Sequence, residues 1–180
     1  MQWKPVVGLI ADTSLCPSMF NFLNMLKFSK SDIGAMADRT LSRHKKQIQS
    51  GYDANGKSFD EYADHYAARK KNMYYAKRGQ ISAQTDPVNL TLTGKMLKAF
   101  QVLKTDYKTK ELKFRYGTKA NKQGIKLNQH NDGVGNLPIR KIAEDQALGK
   151  DVENGIVQDF ANQIGKNLQR MTKTKHTVKL

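Results

Sequence analysis

The sequence predicts an α+β fold in which helices flank a small, mainly antiparallel sheet and a long helix lies near the C-terminus. Alternating apolar residues predict a hairpin over about residues 99–117. Apolar residues at helical spacing predict helices over residues 33–48 and 152–171. Because strands and helices do not alternate in βαβ order, we expect an antiparallel sheet with helices on one face.

The first predicted elements are a strand and a buried helix. A short apolar run at residues 6–10 predicts the strand, and Pro5 places it near a strand start or a sheet edge. Apolar residues at helical spacing over residues 18–28 predict a helix that is buried on more than one side.

The next helix is the most clearly patterned segment of the chain. Ser29 or Ser31 can cap its start, and Gly51 follows its last turn, where glycine is favoured. His44 lies on the apolar stripe and is interpreted as a residue at the edge of that stripe rather than a ligand. The stripe comprises Ile33, Met36, Ala37, Thr40, Leu41, His44 and Ile48.

The middle of the chain has weaker patterns. Residues 59–70 predict a short amphipathic helix, whereas residues 71–92 show no sustained period and predict a long loop. Thr93 is the expected N-cap of a brief helix before the hairpin, and residues 118–129 are predicted to be partly helical. Asp151 is expected to cap the last helix, which we expect to pack on the sheet.

Length and composition predict a single domain with a lean core. The chain has 180 residues, of which 38% are hydrophobic and 26% are charged. We expect one domain over residues 1–170, followed by a basic tail at 171–180. Neighbouring subunits are expected to complete part of the apolar surface.

The net charge of +15 and the pI near 9.9 predict a polyanionic partner, either nucleic acid or an acidic protein surface. No acidic residue follows Asp159. The basic residues beyond it are interpreted either as a solvated, frayed end or as a site that docks on phosphates or an acidic surface. These residues are Lys166, Arg170, Lys173, Lys175 and Lys179.

The sequence also predicts a compartment. One cysteine, Cys16, excludes an internal disulfide and is interpreted as a small core residue. The N-terminus lacks the pattern of a signal peptide, and polar residues interrupt the longest apolar stretch, so no membrane segment is predicted. We therefore expect synthesis in the cytosol.

No constellation of residues predicts catalysis, a cofactor or a metal. The segment Asp53-Ala54-Asn55-Gly56-Lys57 resembles the start of a calcium loop, but Lys57 occupies a ligand position, so a tight turn is favoured. The four histidines and one cysteine lack the spacing of a zinc site, and no phosphate-binding loop is present. Asp60, Glu61 and Asp64 favour ion pairs on a solvated helix face. The sequence therefore predicts a protein that is not an enzyme.

Two adjacent tyrosines lie among basic residues in the predicted loop. Tyr74 and Tyr75 are flanked by Lys70 and Lys71 on one side and by Lys77 and Arg78 on the other. Such a pattern is typical of surfaces that stack on single-stranded nucleic acid. The alternative is that the tyrosines pack on a neighbouring protein.

A series of short motifs follows a fixed order between residues 48 and 140. The motifs are Ile48-Gln49-Ser50-Gly51, Asp53, Gly56, Phe59, Tyr62, Tyr66, Lys70, the run from Asn89 to Leu97, Phe114, Gly117, His130, Gly133, Pro138 and Arg140. In this order they resemble the virion-morphogenesis and tail-completion proteins of tailed double-stranded DNA phages. The resemblance covers residues 33–164, and the chain departs from the family at residues 141–144, where Lys-Ile-Ala-Glu replaces a frequent Pro-Phe-Leu-Gly.

This resemblance implies a neck or tail-terminator subunit of the virion. Its copies would close into a ring, most simply a hexamer, that completes the tail, joins it to the connector or adaptor and lets genomic DNA pass through the lumen. The ring would be assembled in the host cytoplasm. Pro138 fixes the approach of Arg140, which is expected to donate to a neighbouring copy or, alternatively, to the last helix of its own domain. The expected contact residues are Tyr74, Tyr75, His130, Arg140 and Lys141.

The alternative function is that of a basic nucleic-acid-binding protein. That function predicts strongly salt-dependent binding of DNA by the isolated protomer, lost when residues 166–179 are removed. A structural subunit would instead bind DNA weakly and depend on its protein neighbours.

Overall fold

The computed structural model describes residues 8–11, 28–108, 111–118, 122–134, 137–143 and 148–175. Helices dominate these residues, so the chain has a mixed, helix-dominated fold. The predicted helix over residues 18–28 lies outside the described residues except for Phe28, as do Cys16 and Lys179.

The described part of the chain contains three strands, five α-helices and a 3₁₀ turn. In order they are β1 (Gly8–Ala11), α1 (Lys30–Gln49), α2 (Asp64–Lys71), a 3₁₀ turn (Ala76–Arg78), α3 (Lys95–Ala99), β2 (Gln101–Lys108), β3 (Glu111–Gly117), α4 (Lys122–Asp132) and α5 (Lys150–Lys175).

The three strands form one antiparallel sheet in the order β1-β3-β2. Phe114 of the central strand β3 is paired with Leu9 on one side and Thr105 on the other. The pairing of β2 shifts between Val102 and Lys104. β2 and β3 form a hairpin within the segment for which alternation predicts one, and β1 overlaps the apolar run near the N-terminus.

Helix α1 begins at a capping box. The Asp32 N–H donates to Ser29 Oγ over 3.1 Å, and the Ser29 N–H donates to Asp32 Oδ2 over 3.1 Å, so Ser29 rather than Ser31 is the cap. The buried face of α1 consists of the seven residues of the predicted stripe. Gly51 follows the helix with a φ of +93°, as predicted from its position.

Helix α1 lies at the centre of the core, in contact with both α5 and β2. The prediction that the last helix packs mainly on the sheet is therefore wrong for the described residues, in which its main neighbour is α1. The buried face of α5 is apolar at Val152 and Ile156 and becomes polar further along, at Asp159, Gln163 and Asn167, whereas Leu168 is exposed.

Asp159 explains the first polar position on that face. It accepts hydrogen bonds from Arg39 Nε at 2.9 Å and Arg43 Nη1 at 2.5 Å. Burial opposes ionisation, but the hydrogen bond and charge of Arg43 and the charge of Arg39 leave the pKa of Asp159 below its usual value. The two helices are thus joined by an ion-pair cluster as well as by apolar packing.

Two predicted features of α1 and α5 need correction. His44 is buried rather than at the edge of its stripe, and its Nε2 lies 2.7 Å from the carbonyl oxygen of Ile142, while burial lowers its pKa. Helix α5 begins at Lys150, so Asp151 lies in the first turn and does not cap the helix. Helix α5 also continues to Lys175, into the segment predicted to be a tail.

Two shorter helices also begin later than predicted. Helix α2 begins at Asp64, so Phe59 and Tyr62 lie in the non-helical segment before it, where Phe59 is part of the core and Tyr62 packs against it. Helix α3 has Gly94, with a φ of +69°, at its N-cap instead of Thr93. None of the helices in the described part of the chain is long and apolar enough to cross a membrane.

Candidate functional site

Lys70 is fully buried in the last turn of α2, with a relative exposure of 0%. Its ammonium donates to Asn89 Oδ1 over 2.7 Å and to the Tyr62 hydroxyl over 3.2 Å, and lies 4.6 Å from the centroid of the Tyr62 ring. Burial lowers the pKa of Lys70 to about 8. Lys70 is therefore an internal anchor, which corrects its place in the predicted nucleic-acid surface.

Asn89 joins Lys70 to the irregular segment before α3. Its Oδ1 also accepts from the Thr91 N–H at 3.0 Å, and its Nδ2 donates to Ser82 Oγ over 3.1 Å. The next residue, Leu90, has a φ of +48°, and its N–H donates to the Tyr62 hydroxyl over 3.1 Å. Side chains thus fix the second half of the predicted loop against α2 and Tyr62.

Arg140 approaches the same tyrosine from another part of the chain. It is only 3% exposed, its Nη2 donates to the carbonyl oxygens of Asp60 at 3.0 Å and Glu61 at 3.3 Å, and its guanidinium lies 5.3 Å from the Tyr62 centroid. These acceptors belong to its own chain and not to α5. The described contacts of Arg140 therefore do not include the last helix, and its contact with a neighbouring copy stays a prediction.

His130 lies beside Arg140, in the last turn of α4. Its carbonyl oxygen accepts from the Arg140 N–H at 2.7 Å, and its imidazole is half-buried. Burial, then the charge of Arg140 and then that of Lys126, lower the pKa of His130 to about 4. The imidazole is therefore neutral at physiological pH, and its Nδ1 is buried without a hydrogen-bond partner among the described residues.

The depressed pKa of His130 predicts a stability that depends on pH. An unfolded histidine titrates near 6.5, so between about pH 6.5 and pH 4 the unfolded chain binds the proton that the folded chain excludes. His130 thus permits full stability above about pH 6.5 and costs about 1–2 kcal/mol as the pH falls to 4, a value reduced for its partial exposure. We expect His130→Gln to flatten this part of the profile measured by urea denaturation.

The exposed His65 provides the matched control for that measurement. His65→Gln should leave the difference between pH 7 and pH 4.5 as it is in the unsubstituted chain. An identical profile for His130→Gln would show that the imidazole titrates normally in the folded protein.

The backbone around Arg140 presents a small apolar surface, which we call the apolar loop and define as Val134, Leu137 and Ile139. Their relative exposures are 54%, 39% and 60%. The loop returns so that Ile139 lies against Gly133, at the end of α4. The approach is so close that a Cβ on residue 133 would be 2.5 Å from Ile139 Cγ1. The internal bond of Arg140 to His130 fixes the same return. Buried polar residues therefore hold exposed apolar ones in place.

Four tyrosines form a row that leads from the interior to the surface. The ring centroids of Tyr62 and Tyr66 are 5.0 Å apart, those of Tyr66 and Tyr75 are 6.0 Å apart, and those of Tyr75 and Tyr74 are 5.1 Å apart. Burial raises the pKa of Tyr62 to about 12 at the inner end. At the outer end Tyr74 is 66% exposed, and the Arg69 guanidinium lies 5.3 Å from its ring centroid.

Residues 71–79 run from the last residue of α2 to Gln80 and are exposed except for the half-buried Tyr75, and we call them the basic protrusion. Gln80 is buried, and its Nε2 donates to the carbonyl oxygens of Lys70 at 2.6 Å and Ser82 at 2.9 Å. Its Oε1 accepts from the Tyr75 N–H at 3.0 Å. One amide side chain therefore closes the base of the protrusion, which carries the exposed residues Lys71, Tyr74, Lys77 and Arg78.

The basic residues predicted near the C-terminus lie mostly on α5. Lys166 and Arg170 are exposed one turn apart, and they contribute, after the hydrogen bonds of Ser29, to the lowered pKa of Asp32 at the start of α1. Lys173 and Lys175 lie in the last turns of the helix, where positive charge favours the helix dipole. The four described basic residues therefore belong to a helix and not to a frayed end.

Lys141, the remaining predicted contact residue, is half-buried. Its carbonyl oxygen accepts from the Ala54 N–H at 2.6 Å, which ties the segment after Arg140 to the turn at residues 53–57. In that turn Asp53 Oδ1 accepts from the N–H groups of Asn55 and Lys57 at 2.9 and 2.8 Å. This is the tight turn that was favoured over a calcium loop.

Within the described residues, no group of three or more histidine, cysteine or acidic side chains could hold a metal ion. A cavity of about 640 Å³ lies between the end of α1, the turn at 53–57 and the start of α5. Arg43, Lys46 and Lys150 contribute positive charge to its wall, and Asp151 contributes a carboxylate. Arg43 also binds Asp159, so its guanidinium links the cavity wall to the contact between α1 and α5.

Sequence reasoning missed two of these features, the burial of Lys70 and the closure of the protrusion by Gln80. Lys70 follows Tyr66 by four residues and so lies on the same side of α2, which was a signal for its burial. The basic surface around Tyr74 and Tyr75 was predicted, and the absence of any acidic residue between Asp64 and Asp86 agrees with it. The closure by Gln80 had no signal in the sequence, because it depends on contacts formed only after folding.

The chain matches no protein-family model, no curated protein and no solved structure at a significant level. The described residues define a mixed, helix-dominated protein in which a network of buried polar side chains supports two exposed surfaces, the apolar loop and the basic protrusion.

Proposed function

We propose that this protein is a structural subunit of a tailed phage virion, an α+β protomer whose copies form a ring at the head–tail junction. The ring would terminate or complete the tail and join it to the connector or adaptor. The anchored apolar loop carries this proposal. Three exposed apolar side chains on a backbone fixed by Arg140 and His130 suit contact with a second copy of the chain.

The residues behind the resemblance support the same role. Gly51, Tyr62, Lys70, Asn89 and Arg140 belong to the resembling motifs, and in the fold they pack and hydrogen-bond inside one protomer. These contacts hold the backbone of the protomer in one conformation. A subunit needs such a fixed conformation if identical copies are to meet at a constant angle and close into a ring. A net charge of +15 suits a ring through which DNA passes.

The ring makes a direct prediction about Ile139. The purified chain should assemble to a mass that is a multiple of the protomer, most simply sixfold, and Ile139→Glu should shift it to the mass of a single protomer. A carboxylate placed among apolar side chains at the contact would lose its hydration, which opposes association. Light scattering coupled to size-exclusion chromatography measures the mass.

Val157→Glu is the matched control, because Val157 is 67% exposed on α5 and receives the same charge. Its assembly should be unchanged. If Ile139→Glu and Val157→Glu behave alike, the apolar loop is not the subunit contact.

The wider role is tested on particles. Electron microscopy of virions that lack this protein should show filled heads and tails that fail to join, or tails of uncontrolled length. Particles of normal appearance would contradict the proposal.

A further inference from the structure

We infer that the basic protrusion, residues 71–79, together with Arg69 at its base, is a binding site for single-stranded nucleic acid. This inference goes beyond the proposed ring and does not depend on it. It has three supports: the charge of the protrusion, the placement of Tyr74 and the rigid closure of its base.

The charge is unusually one-sided. Residues 65–85 contain five lysines and arginines and no aspartate or glutamate. Lys70 is buried, so the exposed cations are Arg69, Lys71, Lys77 and Arg78. All four lie within ten consecutive residues of the chain and are exposed, so this segment presents a concentrated positive charge to solvent. A chain of phosphates is the ligand that can meet several of them in succession.

Tyr74 supplies the second half of such a site. Its ring is 66% exposed, and its orientation is fixed because Tyr75 packs on it edge-on at 87° and the Arg69 guanidinium lies 5.3 Å from its centroid. An exposed aromatic ring held beside cations is a platform for an unpaired base. A base within a duplex is already stacked on its neighbours, so this arrangement favours a single strand.

The protrusion is also ordered before it binds. Gln80 ties both ends of it together, Gly79 takes a φ of +81°, and the Tyr74 N–H donates to the carbonyl oxygen of Arg69 over 2.9 Å. A ligand therefore meets tyrosine and cations that already hold their relative positions, which lowers the entropy lost on binding. An acidic protein partner would use the charges but would not need the exposed ring.

The first test measures the binding of a short fluorescent oligodeoxythymidine by anisotropy, with the full chain. Tyr74→Ala should weaken binding about fivefold or more, because one stacked base is lost. Tyr74→Phe keeps the ring and should bind within about twofold of the unsubstituted chain. Equal binding by Tyr74→Ala and the unsubstituted chain, or no binding by the unsubstituted chain, would overturn the inference.

The second test separates the protrusion from the general positive charge. Replacing both Lys77 and Arg78 by Gln should reduce the slope of log affinity against log salt by about 1.4, as expected for two phosphate contacts on a single strand. The double variant Lys95→Gln, Lys98→Gln removes the same charge from exposed positions on α3 and should change the slope much less. Equal losses in the two pairs would mean diffuse attraction and would overturn the site.

Two further arms decide the class of ligand. A duplex of the same length should bind more weakly than the single strand and should not respond to Tyr74→Ala. Competition by polyglutamate at equal charge concentration should be weak. Tighter binding of the duplex or of polyglutamate than of the single strand would overturn the assignment to single strands. The proposed ring is tested separately, because Tyr74→Ala should leave the mass of the assembled protein unchanged.

Discussion

Arg140→Ala should lower the free energy of unfolding by about 3 kcal/mol. The substitution leaves the carbonyl oxygens of Asp60 and Glu61 without the donor that now reaches them at 3.0 and 3.3 Å. It also removes the cation over Tyr62 and leaves a void where a 3% exposed side chain lay. Urea denaturation followed by circular dichroism measures the loss.

Arg78 offers a matched control, because it is exposed on the basic protrusion. Arg78→Ala should change the free energy of unfolding by less than about 0.5 kcal/mol. Arg140→Lys should be destabilising as well, since an ammonium cannot reproduce the planar donor geometry of a guanidinium. A loss below about 1 kcal/mol for Arg140→Ala would show that its internal hydrogen bonds do not hold the fold.

The same substitution has a consequence for assembly. Arg140 anchors the backbone that presents Ile139, so its loss should loosen the apolar loop and weaken the contact between copies. Arg140 would then affect the ring through the position of its neighbours and not by touching the adjacent subunit. The sequence had predicted a different role, in which Pro138 positions Arg140 to donate directly to a neighbouring copy or to the last helix.

Local patterns in the sequence were enough to predict α1. Its stripe of seven residues has a period that only a helix satisfies, and Ser29 and Gly51 are residues whose backbone preferences mark helix ends. The hairpin was predicted in the same way, from apolar residues at every second position. These are Phe100 and Val102 in the first segment and Leu112, Phe114 and Tyr116 in the second. Such signals survive folding because they come from the helix and strand geometries themselves.

The site was less predictable because its residues meet across long separations. Arg140 contacts carbonyl oxygens about eighty residues earlier, and Lys70 contacts Asn89, nineteen residues later. A basic side chain in a sequence is expected to be exposed, so Lys70 was assigned to a surface, whereas Arg140 was expected to bind either a neighbouring copy or the last helix. Their burial follows from the acceptors that the tertiary fold places around them, which no local pattern encodes.

The polar end of the α5 stripe was missed for a similar reason. Helical spacing placed apolar residues from Val152 to Met171 on one face of this helix, yet Gln163 and Asn167 are buried and Leu168 is 38% exposed. Gln163 Nε2 donates to Asn167 Oδ1 over 3.3 Å, so the two amides partly satisfy each other. A small rotation of the buried face along a long helix is enough to exchange one set for the other.

Gly51 lies just beyond the end of α1, and Gly51→Ala should be strongly destabilising. We expect it to lower the free energy of unfolding by about 2–4 kcal/mol. Gly51 has a φ of +93°, which side chains rarely adopt. A Cβ there would lie 2.6 Å from Pro87 Cβ and 3.2 Å from the carbonyl oxygen of Val88. Neither neighbour is the end of a flexible side chain, so backbone must move.

The movement would reach both exposed surfaces. Val88 precedes Asn89, which binds Lys70, and Lys70 contacts Tyr62, on which Arg140 packs. A shift at Gly51 should therefore disturb the base of the protrusion and the anchor of the apolar loop together. We expect Gly51→Ala to weaken assembly and oligonucleotide binding, even though the residue touches neither surface.

Gly34→Ala provides the contrast that makes this prediction specific. Gly34 lies inside α1, and no other atom lies within 4 Å of the position its Cβ would take. Alanine is the better helix former, so this substitution should raise the free energy of unfolding by about 0.5–1 kcal/mol. The same chemical change is thus expected to have opposite signs at the two sites. Stabilisation by both variants would mean that the segment at Pro87 and Val88 does not lie against Gly51. A change at Gly51 would then have no means of displacing Asn89, Lys70 and, through Tyr62, Arg140.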